Sequence, residues 1–362
     1  LFLVLLSSQI TQAQITVNAN YTPQQLAEDV LIGAGVDISN IQYAGNAQAR
    51  GYFEAAGSGF PLDQGVILST GRVQNAVGPN NGASPGGDEG TDFGASGDAE
   101  LTAISGVSTL DASILEFDFT PQSDTIQFRY MFASNEYGFW EGQGFTDVFA
   151  FLISGPGIVG EQNIALIPNT NVPVTIDDLN STSNAQYYVN NENPIGQEIE
   201  YNGHTTVLTA IAELQACDSY HIRLAIADGG LGDYDSAVFL EARSFSSPVV
   251  SLNAESSFSA TASAQDLVEG CSSMTLTFDR AGSLDDELSV GLTFSGTATN
   301  GVDVSTIPGA IVFAAGSSTA SISFDVLEDN DNTEGIEQMT IILDQLVNCP
   351  DSPPDSVTSS IQ

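Results

Sequence analysis

Several stretches of the chain alternate strictly between apolar and polar positions. Leu115-Glu116-Phe117-Asp118-Phe119-Thr120, Thr125 through Phe132, and His221 through Ile226 place large apolar residues at every second position. Side chains of a strand point alternately to its two faces, so each stretch predicts a half-buried strand of an antiparallel sheet. Asp147 through Ile153 also reads as a strand, and Ala320 through Val326 alternates again later in the chain. One segment keeps a helical period instead: Thr22 through Leu31 puts Leu26, Val30 and Leu31 on one face. Thr22 is placed as N-cap, Pro23 sits in the first turn, Gln25 completes a capping box and Gly33 ends the helix. The pattern predicts an all-β protein of antiparallel sandwich type with one short N-terminal helix.

The same pattern sets the organisation. A chain of 362 residues is long enough for more than one domain, at about 100–200 residues each. The period breaks at Ser246-Ser247-Pro248, which predicts one domain over 14–247 and a second β-rich domain over 248–362. Residues 1–13, LFLVLLSSQITQA, read as the remainder of an export signal ending at Thr11-Gln12-Ala13, so the mature chain is expected to start near Gln14. No later segment reaches the roughly 18 apolar residues of a membrane span. Between Gly78 and Gly97 the stretch PNNGASPGGDEGTDFGASG offers nothing to bury and is expected to be a long surface loop. The last residues resemble the middle of a strand, so the second domain is expected to be truncated there, with any anchor lying beyond.

Charge narrows the partners. The chain carries 46 acidic residues against six basic ones, all arginine, for a formal net charge of −40. Such a surface repels a phosphate backbone, which excludes nucleic acid. It also repels itself, so bound or bulk cations are expected to stabilise the fold. Of three cysteines, Cys271 and Cys349 fall in the second domain and can pair in an oxidising compartment, whereas Cys217 has no evident partner.

Motifs of common enzymes fail on context. Gly155-Pro156-Gly157-Ile158-Val159-Gly160 has the G-x-G-x-x-G spacing, with Asp177 and Asp178 further on. A dinucleotide site needs a helix opening at the third glycine, but Pro168 and Pro173 follow, so Gly155-Pro156-Gly157 is read as a turn. Gly82 through Gly86 matches G-x-S-x-G without a strand before it or a helix after it. His204 and His221 are the two histidines, which leaves little for a Ser-His-acid triad. Cys217 and His221 would lie about 13 Å apart along a strand, too far for a thiolate-imidazole pair. Zinc-ligand spacings are absent from the sequence.

Carboxylates remain. Glu328 through Glu337 packs five acids into ten residues directly after an alternating strand. Glu334 stands where an EF-hand loop needs glycine, yet clustered oxygen ligands are what Ca²⁺ takes, and their repulsion favours a bound cation. A second acidic group comes from separate places: Glu136, Asp147, Asp228, Asp233 and Asp235, in loops or at strand ends that a sandwich can bring together. It is read as a second metal site, formed by Glu136, Asp147, Asp228 and Asp235, or as structural hydrogen bonding. Paired carboxylates also serve glycosidases, and Tyr137 and Trp140, with Phe139 between, can stack on a sugar.

These residues carry a resemblance. GVILSTGRV, ASNEYGF, FTDVFAFLISGPGI, QNIALIPNTNVPVTI, YYVNNENP, IEYNGHTTVLTA and CDSYHIRLAIADGGLGDYDSAVFLEA, in that order, resemble the choice-of-anchor L domain of bacterial surface proteins. That resemblance implies attachment to the cell surface through varied C-terminal anchors, including type IX secretion sorting tails, and assigns no catalytic residue. DLVEGCSSMTLTFDRAG, GTATNGVDV and IVFAAGSSTASISFDVLEDNDNTEGIEQMTIIL resemble a Calx-β repeat, an immunoglobulin-like sandwich that binds Ca²⁺ at one end. The positions matching its calcium ligands are Glu269, Asp303, Glu328, Asp329 and Asp331. Val304 departs from the aromatic residue often found after the matching Asp.

Together these readings give a secreted, extracellular or surface-attached, non-catalytic protein of adhesion or surface architecture, stiffened by Ca²⁺ in its second domain. Its expected partner is an extracellular glycan or a cell-surface protein. The competing expectation is a polysaccharide-binding module of a larger secreted enzyme.

Overall fold

The computed structural model describes residues 14–80, 90–192, 198–257, 266–280, 284, 287–328, 335–344 and 356–362. They form two compact units: Leu1–Thr120 with Ile126–Glu213 and Asp218–Phe245, and Pro121–Thr125 with Leu214–Cys217 and Ser246–Gln362.

The first unit pairs two sheets. One runs through strands Thr16–Asn18, Arg50–Glu54, Gln64–Ser69, Ser236–Glu241, Thr125–Ser134, Gly203–Thr205 and Tyr188–Asn190, with Leu208–Glu213 added on Thr125–Ser134. The other runs through Val36–Ala44, Thr109–Pro121, Tyr220–Gly229, Val148–Ser154 and Gln162–Asn163. The alternating strands predicted from sequence lie at the centres of these sheets. Their inward rows meet as aromatic rings: Phe128 on Phe151 at 4.6 Å, Tyr130 on Phe151 at 4.9 Å, and Phe132 on Phe149 at 5.1 Å between centroids. Such pairs add about 0.5–1.5 kcal/mol each beyond the area they bury. Phe245 closes one end of this row against Phe117, Phe119 and Phe128.

Both sheets are also covered on their outer faces. Phe53, Phe60, Met131, Tyr201 and Phe239 build a second core behind the first sheet. Leu101 packs with Ala112, Ile114, Ala150, Leu152 and Ala225 behind the other. Strands buried on two faces read as unbroken apolar runs, which is why Val66-Ile67-Leu68 and Val148 through Ile153 do not alternate.

The N-terminal helix forms where its capping box places it. Thr22 Oγ1 accepts from Gln25 N at 3.2 Å, and Gln25 Oε1 accepts from Thr22 N at 3.0 Å. Its turns are wider than expected, a π-helix over Gln25–Leu31 in which Ile32 N donates to Ala27 O. A second helix, Ala99–Ser105, corrects the expectation of a single one. Asp98 caps it by accepting from Glu100 N and Leu101 N, both at 3.1 Å, and Gly106 ends it at φ 76°.

The expected surface loop between Gly78 and Gly97 is corrected at both described ends. Asn80 is buried and donates to Asn202 Oδ1 at 3.0 Å, and the backbone from Thr91 to Ala95 is pinned to carboxylates. Its Gly82–Gly86 motif lies outside the described residues. Gly155 through Gly157 is the turn out of Val148–Ser154, with Ile158 N donating to Gly155 O, as the prolines implied.

The second unit is a sandwich of immunoglobulin type. Val250–Ser256, Ser273–Arg280 and Thr319–Asp325 form one sheet; Asp266–Leu267, Ser356–Ile361, Glu337–Leu343, Leu288–Gly296 and Ala310–Phe313 form the other. Leu276, Phe278, Phe313, Phe324, Met339 and Ile341 fill the space between them. Cys271 is free and exposed, which removes it from the expected pairing. Cys217 is the cysteine engaged in a disulfide, and Cys349 lies outside the described residues.

Candidate functional site

Toward one end of the first sandwich the inward rows change from aromatic rings to carboxylates. Immediately before Val148–Ser154, two residues back from Phe149 and in the same parity as Phe149 and Phe151, stands Asp147. It is wholly buried, accepts from Gly229 N at 2.9 Å through Oδ1, and accepts from Ser236 Oγ at 2.6 Å through Oδ2. Glu136 follows the end of Thr125–Ser134, is 2% exposed, and accepts from Asp147 N at 3.2 Å. Asp235 is wholly buried just before Ser236–Glu241 and accepts from Thr91 N at 2.8 Å and Asn75 Nδ2 at 3.2 Å. Asp228 sits near the end of Tyr220–Gly229, also wholly buried.

Beside Asp228 the ladder is irregular. Ile226 pairs with Ser113 but Asp228 pairs with Leu110, so the Thr109–Pro121 strand accommodates an extra residue there. Asp111 lies in this bulge at φ 46°, a conformation that Asp tolerates better than most residues, and bulges re-aim side chains. Its oxygens accept from Phe93 N at 2.7 Å and Ala95 N at 2.5 Å. Asp111 joins the four carboxylates foreseen from sequence. Asp233 does not, because it is exposed.

Three of the foreseen four are satisfied by donors, and Asp228 is not. Neither Asp228 oxygen has a hydrogen-bond partner; the Thr70 hydroxyl favours its charge without meeting hydrogen-bond geometry. Among the described residues, Asp111, Glu136, Asp147 and Asp228 make no ion pair. Burial, then the charge of Asp147, pushes the Glu136 carboxyl up to about 10. Burial raises Asp147 to about 7 against the opposing hydrogen bonds of Ser236 and Gly229. Burial and then Asp147 hold Asp228 well above the usual carboxylate range, and burial raises Asp111. Groups this enclosed cannot flank a glycosidic bond without the sandwich opening.

The aromatic loop beside Glu136 is rearranged relative to expectation. Tyr137 is fully buried against Phe132 and Tyr188, which corrects its reading as a glycan contact. Trp140 is partly exposed and packs on Phe145 at 5.3 Å and Tyr234 at 5.7 Å. His221 turns to Asp118 at 2.7 Å, and Cys217 is spent on its disulfide, so the two form no reactive pair.

In the second unit the segments holding Glu269, Asp303 and Glu328 are neighbours. Gly270 N donates to Val326 O at 3.2 Å, Leu327 N donates to Asp303 O at 2.8 Å, and Glu328 packs against Gly270. Asp303 Oδ2 accepts from Thr299 N at 2.6 Å. Val304 is wholly buried in the core and bridges Val326. Asp329 and Asp331 lie outside the described residues. Among the described residues, no group of three or more His, Cys, Asp or Glu stands in a geometry that could hold a metal ion, and no helix is long and apolar enough to cross a membrane.

Comparison with known proteins follows the two units. The Choice-of-anchor L domain profile matches residues 14–246, and the Calx-beta domain profile matches residues 253–360. No curated protein sequence matches the chain. Among solved structures, a GH2 beta-galacturonidase from Eisenbergiella tayi bound to glycerol aligns at 10% identity over 69% of this chain, with a TM-score of 0.21. The same organism's GH2 beta-galacturonidase bound to galacturonate aligns at 9% identity over 69% of this chain, with a TM-score of 0.20. The chain spans 34% and 35% of those chains, and scores this low carry no argument about fold or activity. The chain belongs to the Choice-of-anchor L domain family, and its second unit is a Calx-beta domain.

Proposed function

We propose that this chain is a secreted, non-catalytic part of a cell-surface protein, working in adhesion or surface architecture toward an extracellular glycan or another surface protein. The observation that supports this reading is the succession of a Choice-of-anchor L domain and a Calx-beta domain, two domain types that fit a surface protein. Ca²⁺ stiffens the second unit by neutralising Glu269, Asp303 and Glu328, whose segments are hydrogen-bonded neighbours, together with Asp329 and Asp331. A hard cation of this kind takes six to eight oxygen ligands, which such a loop set can supply.

Melting the full chain in EDTA, Mg²⁺ and Ca²⁺ at fixed ionic strength tests the calcium role. Binding to the native state alone adds about 2.7 kcal/mol at a hundredfold excess over Kd, so a Ca²⁺-selective rise of several degrees is expected for the second unit's transition. Asp303→Asn with Glu328→Gln should abolish it. Retention on glycan or cell-surface arrays tests the adhesive role, and turnover of any glycan on the same array would overturn the non-catalytic reading.

A further inference from the structure

Among the described residues of the first unit, Asp228 is the one buried carboxylate left without donors on either oxygen, and the carboxylates near it are negative when ionised. Asp147, Asp235 and Glu136 all disfavour its charge, and no arginine or histidine pairs with it. A carboxylate removed from water with neither donor nor counter-charge is strongly disfavoured, so either a proton or a cation has to neutralise it.

The geometry provides room for a cation. Gly232 lies in the loop between Tyr220–Gly229 and Ser236–Glu241. The point where a β-carbon on Gly232 would stand is 3.5 Å from Asp228 Oδ2, from Asp111 Oδ2 and from the Asp92 carboxyl carbon, its three nearest heavy atoms. Three carboxylates from three chain segments thus face one volume that holds no side chain. Asp111 is fixed there by Phe93 N and Ala95 N, which also hold the segment that carries Asp92. Asp92 itself is exposed, as are Leu231 and Asp233, while Gly232 between them is buried.

We propose that Asp92, Asp111 and Asp228, around Gly232, form a seat for a divalent cation of the calcium class. This seat is separate from the ligand positions of the Calx-beta domain. The raised affinities for protons at Asp111 and Asp228 fit groups that lack a counter-charge here. Calcium-oxygen bonds are about 2.3–2.6 Å long, so an ion at that point needs Asp111 Oδ2 and Asp228 Oδ2, each 3.5 Å from it, to close in by about 1 Å and Asp92, whose carboxyl carbon is the atom at 3.5 Å, to turn an oxygen inward. Buried Asp147 accepts from Gly229 N and Ser236 Oγ, Asp235 accepts from Thr91 N and Asn75 Nδ2, and Glu136 accepts from Asp147 N, bonds that hold the backbone around these carboxylates.

Terbium, which takes calcium sites and emits when tryptophan transfers energy to it, tests this in the full chain. The chain has a single tryptophan, and Trp140 packs on Tyr234 in the loop that carries Gly232. Tryptophan-excited emission is expected to saturate with Tb³⁺ and to be displaced by Ca²⁺. Asp228→Asn should abolish it, and exposed Asp92→Asn should weaken Tb³⁺ binding at least tenfold without touching the core. Asp303→Asn with Glu328→Gln should leave it intact, whatever the fate of calcium in the second unit. Asp228→Asn should also melt no lower than the parent in EDTA, because it replaces a buried carboxyl that has no donor with a neutral amide of the same shape. Absent emission in the parent, or emission unchanged in both Asp228→Asn and Asp92→Asn, overturns the proposal and leaves shared protons as the means of neutralising the cluster.

Discussion

Asp147 and Ser236 are joined across the sandwich: Ser236 Oγ donates to Asp147 Oδ2 at 2.6 Å, with Ser236 opening Ser236–Glu241 of one sheet and Asp147 immediately preceding Val148–Ser154 of the other. A bond to a buried carboxylate at this distance is charge-assisted whenever Asp147 is ionised. Ser236→Ala leaves that oxygen unsatisfied in a dry interior, at a cost of about 1–3 kcal/mol. Chemical denaturation of the first unit should show the loss. The same variant removes one of the bonds holding Asp147 down, so its carboxyl should titrate at a still higher pH in a carbon-detected NMR titration.

A carboxyl whose pKa is raised by folding stabilises the folded state while it is protonated there. That stabilisation is complete below the ordinary values of 3.8 for Asp147 and 4.5 for Glu136, and it is lost as pH rises through about 7 and about 10 respectively. In EDTA and constant high salt, the first unit's melting temperature should therefore fall from mildly acid to alkaline pH. Asp147→Asn should flatten the part of the fall around neutrality. A melting temperature that rises over this range in EDTA would contradict the burial of these groups as protonated carboxyls.

How much of this was readable in the sequence depends on the range of the interaction. Phe128, Tyr130, Phe149 and Phe151 declare themselves because a strand's period is local and their rows are long. Asp147 and Asp228 are readable as strand-end acids for the same reason. Asp111 is not, because its position depends on a bulge, and a bulge is a mismatch of register between two strands more than a hundred residues apart in sequence. Helix Ala99–Ser105 has only seven residues, too few for a periodic signal, although Asp98 and Gly106 mark its ends. Tyr137 sits between Glu136 and Gly138 and reads as a surface aromatic, yet its ring turns inward onto Phe132. No spacing rule tells which cysteine is taken into a disulfide.

Arg223 is the most heavily used cation on the first unit. It reaches Asp98, Glu100, Glu116 and Glu161 within 3.5 Å, and its side chain is 13% exposed. Arg129 pairs with Glu241 at 2.7 Å, but its side chain is 50% exposed. Removing a charged donor from a shielded site costs about 1.5–3 kcal/mol, whereas an exposed pair is worth about 0.2–1 kcal/mol. Arg223→Gln should accordingly destabilise the first unit clearly more than Arg129→Gln. High salt should narrow the small effect of Arg129→Gln further and leave most of the Arg223→Gln effect in place. Equal losses in the two variants would mean that the Arg223 network is as screened as a surface pair.

The Thr22 and Gln25 capping box predicts a smaller, local effect. Thr22→Ala removes the acceptor of Gln25 N and should cost about 1 kcal/mol. Thr22→Ser keeps the hydroxyl and should restore most of that loss. Hydrogen exchange is the suitable readout, because Leu26, Ala27, Val30 and Leu31 are buried and their protection reports the helix directly. Faster exchange confined to this segment in Thr22→Ala is the expected result, and uniform change across the unit would assign Thr22 a role in packing instead.

Cysteine chemistry separates the two described cysteines. Cys271 is free and exposed, while Cys217 is held in a disulfide. A small thiol reagent should therefore modify Cys271 in the folded, unreduced protein without unfolding it, and Cys271→Ser should eliminate that fast reaction at little cost in stability. Cys217 should become reactive only after reductant is added. Opening a disulfide in a small β-domain commonly costs about 2–4 kcal/mol, because the unfolded chain regains the freedom that the link removed. Reduction should lower the second unit's transition, since Cys217 groups with that unit, and should leave the first unit's transition in place. Labelling of Cys217 before reduction, or a fall of the first transition alone on reduction, would show that the link does not stabilise the second unit.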